Sequence, residues 1–404
     1  QGTADTYTYN YWSSPVGMPN NSTNNNSYSL PDIFTNVSFL TSGYNGIPSP
    51  IQISDYWIWK FANKLSDNYA SWQHVRSTGT LYTGEGFTMK GVENTGGAIT
   101  QQQNYVFNGK PNNGEITLTL SAGNDYLVGN PYASAIDADE FILDNISDGS
   151  GRAATNIING TLYFWDHFAS NTHILRLYQG GYATYNLLSV GVEAISNDTR
   201  IDNTGVHGSK APEQYIPVAQ GFFVVADTGG EVTFKNSQRI FKTEDADPSL
   251  FIKSSTPKIQ DNITNIKEDI RQKFKLMFDS PEGYHRQLLT GVDINASNGY
   301  DVGYDAPLIE NNKEDLFWIV SDEKYVIQGV NNFNNDQALP LGVKVNKEGL
   351  ATIKIDSLIN ITDNLEIYLH DKNLEIYHNL KASDYQINLT KGEHLERFEI
   401  TFIN

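Results

Sequence analysis

The chain has 404 residues, a formal net charge of −19 and no cysteine. The acidic charge opposes binding to nucleic-acid phosphates or an anionic membrane surface, because lysine and arginine must supply that attraction. The lack of cysteine excludes disulfides and thiolate metal sites, and no apolar run reaches the ~18 residues of a membrane-spanning helix. Aromatic residues make up 12% of the chain and glycine is frequent, which is typical of strands joined by turns, so the sequence predicts an all-β protein.

The first predicted unit covers residues 1–120 and consists of short strands. Residues 6–11 alternate polar residues with tyrosine, which is the period-2 pattern of a strand. Residues 19–29 are rich in asparagine and serine and predict an exposed loop. Aromatic residues crowd 55–61, which indicates a segment covered on both faces, and the alternation over 115–120 predicts a further strand.

Residues 121–245 form the second predicted unit, because they repeat the aromatic motifs of the first unit in the same order. The matched segments are 9–16 with 126–132, 57–59 with 163–165, 69–72 with 182–185, 85–89 with 220–224, and 105–108 with 232–235. Five matches in one order indicate a duplicated β-sandwich or jelly-roll-like unit of roughly 115 residues, well above solenoid repeat lengths. We expect a superposition of the copies to place Trp59 on Trp165 and Gly86 on Gly221, with both tryptophans mostly buried.

The last third of the chain differs in composition. Residues 246–270 mix proline, serine, threonine, lysine and aspartate without periodicity and predict a linker. Over 271–404, short candidate strands alternate with turn signals, which predicts an Ig-like β-sandwich. Its last strand should direct Phe398, Ile400 and Phe402 to the core.

Tryptophans of the first unit are candidates for a sugar-binding platform, since flat aromatic faces pack on the apolar faces of sugar rings. The candidates are Trp57 and Trp72, together with Trp59. The alternative is that these side chains fill the core, and the matching aromatics in both units favour it. Residues that interrupt the repeat are better candidates for ligand binding, especially Gln179 with the two glycines after it and the loop 196–214. Tyr182 and Tyr185, in the matched segment that follows, are candidates as well.

Four acidic residues are candidate calcium ligands, because carboxylates are ligands that Ca²⁺ prefers. They are Asp137, Asp139, Glu140 and Asp144. Their spacing is not that of an EF-hand, and the alternative is an acidic first turn of a helix, which the helix dipole favours. The sequence contains no nucleophile-elbow, zinc-protease or phosphate-loop motif, so we expect a protein without a catalytic centre.

Several segments resemble a family of secreted surface proteins of Bacteroidota, of the flavobacterial type. They are YWSSPVG (11–17), GEGFTMKG (84–91), YVFNGKPNNG (105–114), YLVGNPYASAIDADEFILDN (126–145), GTLYFWDHF (160–168), YQGGYATYN (178–186) and YIPVAQGFFV (215–224). Residues 365–402 are similar to the β module that precedes the C-terminal sorting domain of type IX secretion in such proteins. The resemblance implies export by the type IX machinery and a place outside the cell or on its outer surface.

The resemblance also implies O-glycosylation at Asp-Ser/Thr followed by a small aliphatic residue, which makes Ser357 a candidate site; the alternative is an ordinary strand end. Since the chain begins with Gln1 and not methionine, we expect a piece of a longer precursor, with Asn404 exposed before a removed sorting domain. The leading functional hypothesis is a non-enzymatic structural or adhesive region of an exported surface protein, contacting a glycan or a neighbouring surface protein. The alternatives are a carbohydrate-binding accessory region of a secreted polysaccharide-degrading protein and a subunit of an extracellular filament.

Overall fold

A computed structural model describes residues 6–66, 68–92, 103–168, 172–196, 211–242 and 269–403. The described residues lie almost entirely in strands and loops, with two short α-helices, which confirms the predicted all-β class. No helix in these ranges is long and apolar enough to cross a membrane. The predicted linker up to residue 268, most of the loop 196–214 and Asn404 lie outside the described residues.

The described residues form two compact units. Unit 1 takes 6–147, 151–180 and 212–242, and unit 2 takes 148–150, 181–196, 211 and 269–403. The strands up to residue 242 are β1 (Tyr9–Trp12), β2 (Val16–Gly17), β3 (Ser38–Leu40), β4 (Ile47–Pro48), β5 (Ile51–Ser54), β6 (Trp59–Lys60), β7 (Lys64–Leu65), β8 (Gln73–His74), β9 (Phe87–Lys90), β10 (Lys110–Pro111), β11 (Ile116–Ser121), β12 (Asn124–Gly129), β13 (Ala135–Asp137), β14 (Ile158–Phe168), β15 (Gln179–Tyr185), β16 (Tyr215–Ile216), β17 (Gly221–Ala226), β18 (Gly229–Phe234) and β19 (Arg239–Ile240). The helices are α1 (Leu30–Ile33) and α2 (Ala138–Leu143), and 3₁₀ turns cover Asp55–Trp57, Tyr69–Ser71, Leu175–Leu177 and Asn236–Gln238.

Unit 1 repeats one antiparallel strand pairing. In the first predicted copy, β1 pairs with β9 and places Trp12 opposite Phe87. In the second copy, β12 pairs with β17 and places Val128 opposite Phe222. When the two motifs are aligned on their prolines, these are equivalent pairs. The repeat that the aromatic motifs indicate is therefore present in the register of the strands.

The helices repeat as well. In each copy, a short helix follows the first strands, α1 in the first copy and α2 in the second. A phenylalanine in or directly after this helix packs on a phenylalanine near the end of the same copy. The ring centroids of Phe34 and Phe107 are 4.8 Å apart, and those of Phe141 and Phe234 are also 4.8 Å apart. The two copies thus place aromatic pairs at matching points of their cores.

Both copies lie in one compact unit. The β12 strand of the second copy pairs with β7 of the first, and β11, at the end of the first copy, pairs with β18 of the second. The boundary predicted between residues 120 and 121 therefore separates two copies of a pairing pattern and does not separate two domains. Backbone hydrogen bonds connect the copies across it, which a linear reading of the motifs could not show.

One of the matched segments is different in the structure. The 3₁₀ turn Tyr69–Ser71 leads through Trp72 into β8, and the 3₁₀ turn Leu175–Leu177 leads through Tyr178 into β15. The structural counterpart of Trp72 is therefore Tyr178 and not Tyr185. The match arose because β15 carries Tyr182 and Tyr185 three positions apart, the same spacing as Tyr69 and Trp72 of the turn.

The ribbon of β1 and β9 is buried on both faces. One face carries Trp12, Phe87 and Met89, which pack in a hydrophobic core with Leu30 and Ile33 of α1. The other face carries the alternate residues of the two strands, Tyr9, Tyr11, Thr88 and Lys90. This second face supports the candidate site described below.

Unit 2 is built around one large sheet. Its strands are β20 (Lys273–Asp279), β21 (His285–Val292), β22 (Ala306–Pro307), β23 (Asp315–Val320), β24 (Glu323–Val330), β25 (Ala338–Val345), β26 (Gly349–Ile359), β27 (Glu366–Asp371), β28 (Ile376–Asn379), β29 (Tyr385–Leu389) and β30 (Gly392–Ile403). Over 269–403 they are hydrogen-bonded in the order β28-β27-β30-β25-β23-β24-β21-β20-β26-β29, and β22 pairs with β24 off this path. All pairs are antiparallel except β21 with β24.

The sheet of unit 2 curls so that its two ends approach each other. Tyr385 of β29 donates a hydrogen bond of 2.8 Å to the Asp371 carboxylate of β27, near the opposite end of the strand order. The sequence predicts two facing sheets here; the structure has one continuous sheet that encloses the core. Phe398, Ile400 and Phe402 are buried in it, as the alternation predicts.

Residues 181–196 belong to unit 2, although the sequence predicts them as part of the second β unit. Lys275 of β20 donates a hydrogen bond of 2.6 Å to the Gly191 carbonyl. Arg271 donates one of 2.8 Å to the Leu187 carbonyl. Cationic side chains that precede or lie on β20 therefore hold this segment through its backbone.

Candidate functional site

Unit 1 carries a group of exposed and half-buried aromatic side chains around two of its 3₁₀ turns. We call this group the aromatic surface, and it consists of Tyr44, Tyr56, Trp59, Tyr69 and His74. Tyr44 is 54% exposed and Tyr69 is 69% exposed. Most aromatic side chains of this size in the described residues are buried, so exposed rings gathered at one place call for a functional explanation.

The indole of Trp59 and the imidazole of His74 form a fixed stack. They are cross-strand partners of β6 and β8, with ring centroids 4.0 Å apart and planes 11° apart. Trp59 Nε1 donates to the Tyr56 carbonyl at 2.9 Å, and His74 Nε2 donates to the same carbonyl at 3.0 Å. One backbone oxygen therefore fixes the orientation of both rings.

Tyr56 links the stack to the rest of the surface. Its ring lies edge-on to His74 at 5.4 Å and to Tyr44 at 5.0 Å. It also contacts Trp57 edge-on at 4.8 Å, and Trp57 Nε1 donates to the Tyr44 carbonyl at 2.7 Å. The buried Trp57 thus supports the exposed rings from below.

A buried lysine lies beneath Trp57. The Lys90 ammonium is 3.7 Å from the centroid of the Trp57 ring and 4.6 Å from the centroids of Tyr9 and Tyr178. It also donates a hydrogen bond to the Tyr178 hydroxyl. Such cation–π contacts are strongest where water is excluded, and Lys90 is 1% exposed.

His173 completes this support. Its Nδ1 lies 3.3 Å from the Lys90 ammonium, and its Nε2 donates to the Asn45 amide oxygen at 2.6 Å. The ring stacks on Trp57 with centroids 4.8 Å apart. Burial, together with the charge of Lys90, lowers the pKa of His173 to about 4, so this imidazole is neutral at neutral pH and accepts from Lys90.

The aromatic surface itself is neutral near pH 7. Burial and the charge of Arg76 lower the pKa of His74, and burial raises the pKa of the Tyr69 hydroxyl. The rings therefore present apolar faces with hydroxyl and imidazole edges. This combination suits ligands that have apolar ring faces and hydroxyl groups at their edges.

The predicted ligand-binding residues do not all lie at this surface. Trp57 is buried beneath it, and Trp72 packs inside unit 1 against Phe61 and Phe223, with centroids 5.4 and 5.8 Å away. Tyr182 and Tyr185 are residues of unit 2: the Tyr182 amide donates to the Glu310 carboxylate at 2.6 Å, and Tyr185 is fully buried. The side chain of Gln179 lies outside the described residues.

The candidate calcium ligands lie at the two ends of α2. Asp137 is the N-cap and accepts hydrogen bonds from the amides of Asp139 and Glu140 at 3.0 and 3.4 Å. Asp144 is at the C-terminal end, where it accepts from Arg152 Nε at 2.7 Å and so has a lowered pKa despite its burial. In the described ranges, no three His, Asp or Glu side chains are grouped so that they could hold a metal ion.

The candidate glycosylation site Ser357 is half-buried on β26 of unit 2. It pairs with Lys275 at a β-bulge, which leaves the preceding Asp356 without a partner residue in the ladder. Asp356 and Leu358 are exposed on either side of it. The bulge thus presents the three-residue motif at the surface of the sheet.

The sequence did not single out Tyr44, Tyr56, Tyr69 and His74. The three tyrosines lie in separate turn segments and His74 lies on β8. Only the fold brings them together near Trp59. The signal in the sequence was the presence of large aromatic residues inside polar, turn-rich segments. Such segments lie at the surface and do not need aromatic side chains for core packing.

The family comparison covers nearly the whole chain. The family described as "Domain of unknown function (DUF8693)" matches residues 1–402. No curated protein and no solved structure matches the chain. The extent of the family match therefore decides the assignment: the chain belongs to the DUF8693 family.

Proposed function

We propose that the chain is an adhesive, non-catalytic region of an exported cell-surface protein and that it binds glycans through the aromatic surface of unit 1. The observation that carries the proposal is the stack of Trp59 and His74, which Tyr56 joins to the exposed Tyr44. The exposed Tyr69 lies close enough to Tyr56 for an electrostatic interaction. The export and surface location rest on the resemblance to type IX cargo of Bacteroidota.

A rigid aromatic surface suits weak, repeated glycan contacts. Trp59 and His74 are held by one carbonyl oxygen, so binding does not have to order them, and less free energy is lost on binding. Each sugar ring that covers an exposed aromatic face removes apolar area from water, at roughly 25 cal/mol per Å². An adhesive protein gains the rest of its avidity from many copies on one surface.

A binding measurement on the intact chain tests the proposal. The purified protein is applied to an array of bacterial, algal and plant polysaccharides, and retained glycans are then measured by affinity electrophoresis. We expect the variant Tyr44→Ala/Tyr69→Ala to lose at least tenfold in affinity for the same glycans. Unchanged binding by this variant, or no retained glycan on the array, contradicts the proposal.

Unit 2 supplies a matched control. Tyr377 is 60% exposed and stacks on His370 with centroids 4.0 Å apart and planes 8° apart. This tyrosine–histidine stack resembles the Trp59–His74 stack in geometry but lies on the other unit. Tyr377→Ala should leave glycan binding unchanged, and an equal loss in this variant would show that general exposure of aromatics, and not the aromatic surface, causes retention.

The surface location has its own test. Antibodies against the folded chain should label intact producing cells, and added protease should remove the label. A signal that appears only after the cells are lysed contradicts the location without deciding whether the aromatic surface binds glycans. The accessory-region alternative predicts the same glycan binding and is distinguished by a polysaccharide-degrading domain elsewhere in the precursor.

A further inference from the structure

The two copies in unit 1 meet through reciprocal contacts. Trp12 of the first copy forms a β-bridge with Gln220 of the second, and Val128 of the second forms one with Glu85 of the first. The repeated register makes Trp12 equivalent to Val128 and Glu85 equivalent to Gln220. Each contact therefore occurs twice with the copies exchanged, which is the mark of a twofold relation.

Backbone hydrogen bonds next to these bridges repeat in the same way. The Ser13 amide donates to the Ala219 carbonyl at 2.9 Å, and the equivalent Gly129 amide donates to the Gly84 carbonyl at 3.0 Å. Gly84 and Ala219 are equivalent turn residues and both have positive φ, at 90° and 64°. A left-handed turn is thus present in both copies, although the second copy has alanine where the first has glycine.

Close approach at the crossing is reciprocal as well. A Cβ atom added to Gly86 would lie 2.7 Å from the Val128 carbonyl oxygen, and one added to the equivalent Gly221 would lie 2.9 Å from the Trp12 amide nitrogen. Both glycines let the strand of the other copy pass at backbone distance. This contact leaves no room for a side chain on either side.

Ser13 and Gly129 mark the axis of this relation. They are equivalent residues, and they touch each other: a Cβ atom added to Gly129 would lie 2.5 Å from Ser13 Cβ. A residue that contacts its own equivalent lies on a twofold axis. The space at the axis therefore holds one side chain, that of Ser13. The equivalent position of the second copy is Gly129, which has no side chain.

We infer that the surface around Trp12, Ser13, Glu85 and Gly86, which we call the homotypic surface, is a docking surface for the equivalent surface of the second copy of the module. In this chain that equivalent surface carries Val128, Gly129, Gln220 and Gly221, and its glycine leaves room for Ser13. A second copy presented by a separate polypeptide carries the same residues and fits the homotypic surface in the same way. This inference does not depend on glycan binding.

Exchange of the side chain across the axis tests the inference on the full chain. Gly129→Ser introduces a second side chain against Ser13 Cβ and against the Gln220 carbonyl oxygen, at 2.5 and 2.7 Å from the added Cβ, so we expect a fall in the urea midpoint. The double variant Ser13→Gly/Gly129→Ser removes the contact with Ser13 but keeps the contact with Gln220, and should recover part of that fall. A double variant that is no more stable than Gly129→Ser overturns the inference.

A pair away from the axis is the control. Gly86→Ser should also lower the urea midpoint, because its side chain meets Leu127 and Val128. Adding Ser13→Gly should not restore it, since Ser13 is not the obstacle there. Recovery in this control too would mean that Ser13→Gly relieves strain generally and would remove the support that the axis pair gives.

Docking of a copy from another polypeptide is measured with the nicked chain. Gly123 lies in the turn between β11 and β12, with φ of 75° and open space around it. A protease recognition sequence inserted at this turn allows the chain to be cut there. Nicked protein grown with heavy nitrogen is unfolded and refolded together with nicked unlabelled protein. Native mass spectrometry should find assemblies that combine a heavy first half with a light second half, and their absence would contradict docking between separate polypeptides.

Discussion

The ammonium of Lys90 lies over the face of the Trp57 indole, with Nζ 3.7 Å from the ring centroid, at the base of the aromatic surface. The contact joins a strand residue to a 3₁₀ turn, β9 to the segment Asp55–Trp57. It therefore connects the rigid ribbon of unit 1 to the rings that we propose as the glycan site.

Replacement of the lysine should loosen this base. Lys90→Ala removes the cation–π contact, which is worth about 2 kcal/mol when desolvated, and leaves a cavity. We expect a total loss of about 2–4 kcal/mol in the free energy of unfolding by urea. Loss of less than 1 kcal/mol would show that Lys90 contributes little to holding Trp57. The half-buried Lys324, which lies over the Phe317 ring at 4.4 Å, is the control for a less buried cation–π contact.

His173 gives the stability of unit 1 a pH dependence. Its pKa is lowered from 6.5 to about 4, first by burial and then by Lys90, so the unfolded chain binds its proton more readily. The contribution of neutral His173 to the free energy of unfolding is fully present above pH 6.5 and is lost as the pH falls towards 4. Urea midpoints of wild type and His173→Gln, measured between pH 4 and 7, should converge at the acid end. Parallel pH profiles would contradict this role.

Arg286 in unit 2 provides a test of a buried ion pair. Its guanidinium is fully buried and lies 2.6 Å from Asp315 and 3.2 Å from Glu310. Arg286→Met leaves the buried Asp315 and the half-buried Glu310 without their cation, and we expect a loss of about 3–5 kcal/mol in the free energy of unfolding. The more exposed pair of Lys324 and Glu393, 3.2 Å apart, is the control, and Lys324→Met should cost less than about 1 kcal/mol.

The cap of α2 separates the two interpretations of its acidic residues. Asp137→Ala removes the acceptor of two backbone amides, and we expect a loss of about 1 kcal/mol in the free energy of unfolding, while Asp137→Asn, which keeps the acceptor, should lose much less. Added Ca²⁺ should leave the wild-type urea midpoint unchanged if Asp137 acts as a cap. A midpoint that rises with Ca²⁺ in wild type and not in Asp137→Ala would instead support calcium binding.

The sequence predicts the repeated register of unit 1 because that register depends on local motifs. Strand alternation and the glycines at 86 and 221 appear in the same order in both copies, so their pairing follows. The match of Tyr69–Trp72 with 182–185 was wrong because composition alone cannot distinguish a 3₁₀ turn from a strand. The place of 181–196 in unit 2 depends on Arg271 and Lys275, far along the chain, and no local pattern signals it.

The aromatic surface was predictable only in part. Trp57 and Trp59 stand out in the sequence, but Trp57 is buried over Lys90 of β9, while Trp59 is half-buried. Trp165 is half-buried too, so Trp59 and Trp165 are less buried than expected. Tyr44 and Tyr69 join Trp57 and Trp59 from different turns, and His74 joins them from β8. Long-range packing of this kind has no period along the chain, so it is visible only in the folded protein.

The double pairing of β30 has a mechanical consequence. This strand of 12 residues is hydrogen-bonded to β25 on one side and to β27 on the other. A pulling force on the chain after Ile403 would act along the strand and load both ladders in shear. Their hydrogen bonds, which run across the strand, would then resist together and not open one at a time as in a peeled hairpin. Unit 2 is thus built to resist tension that enters through its last strand.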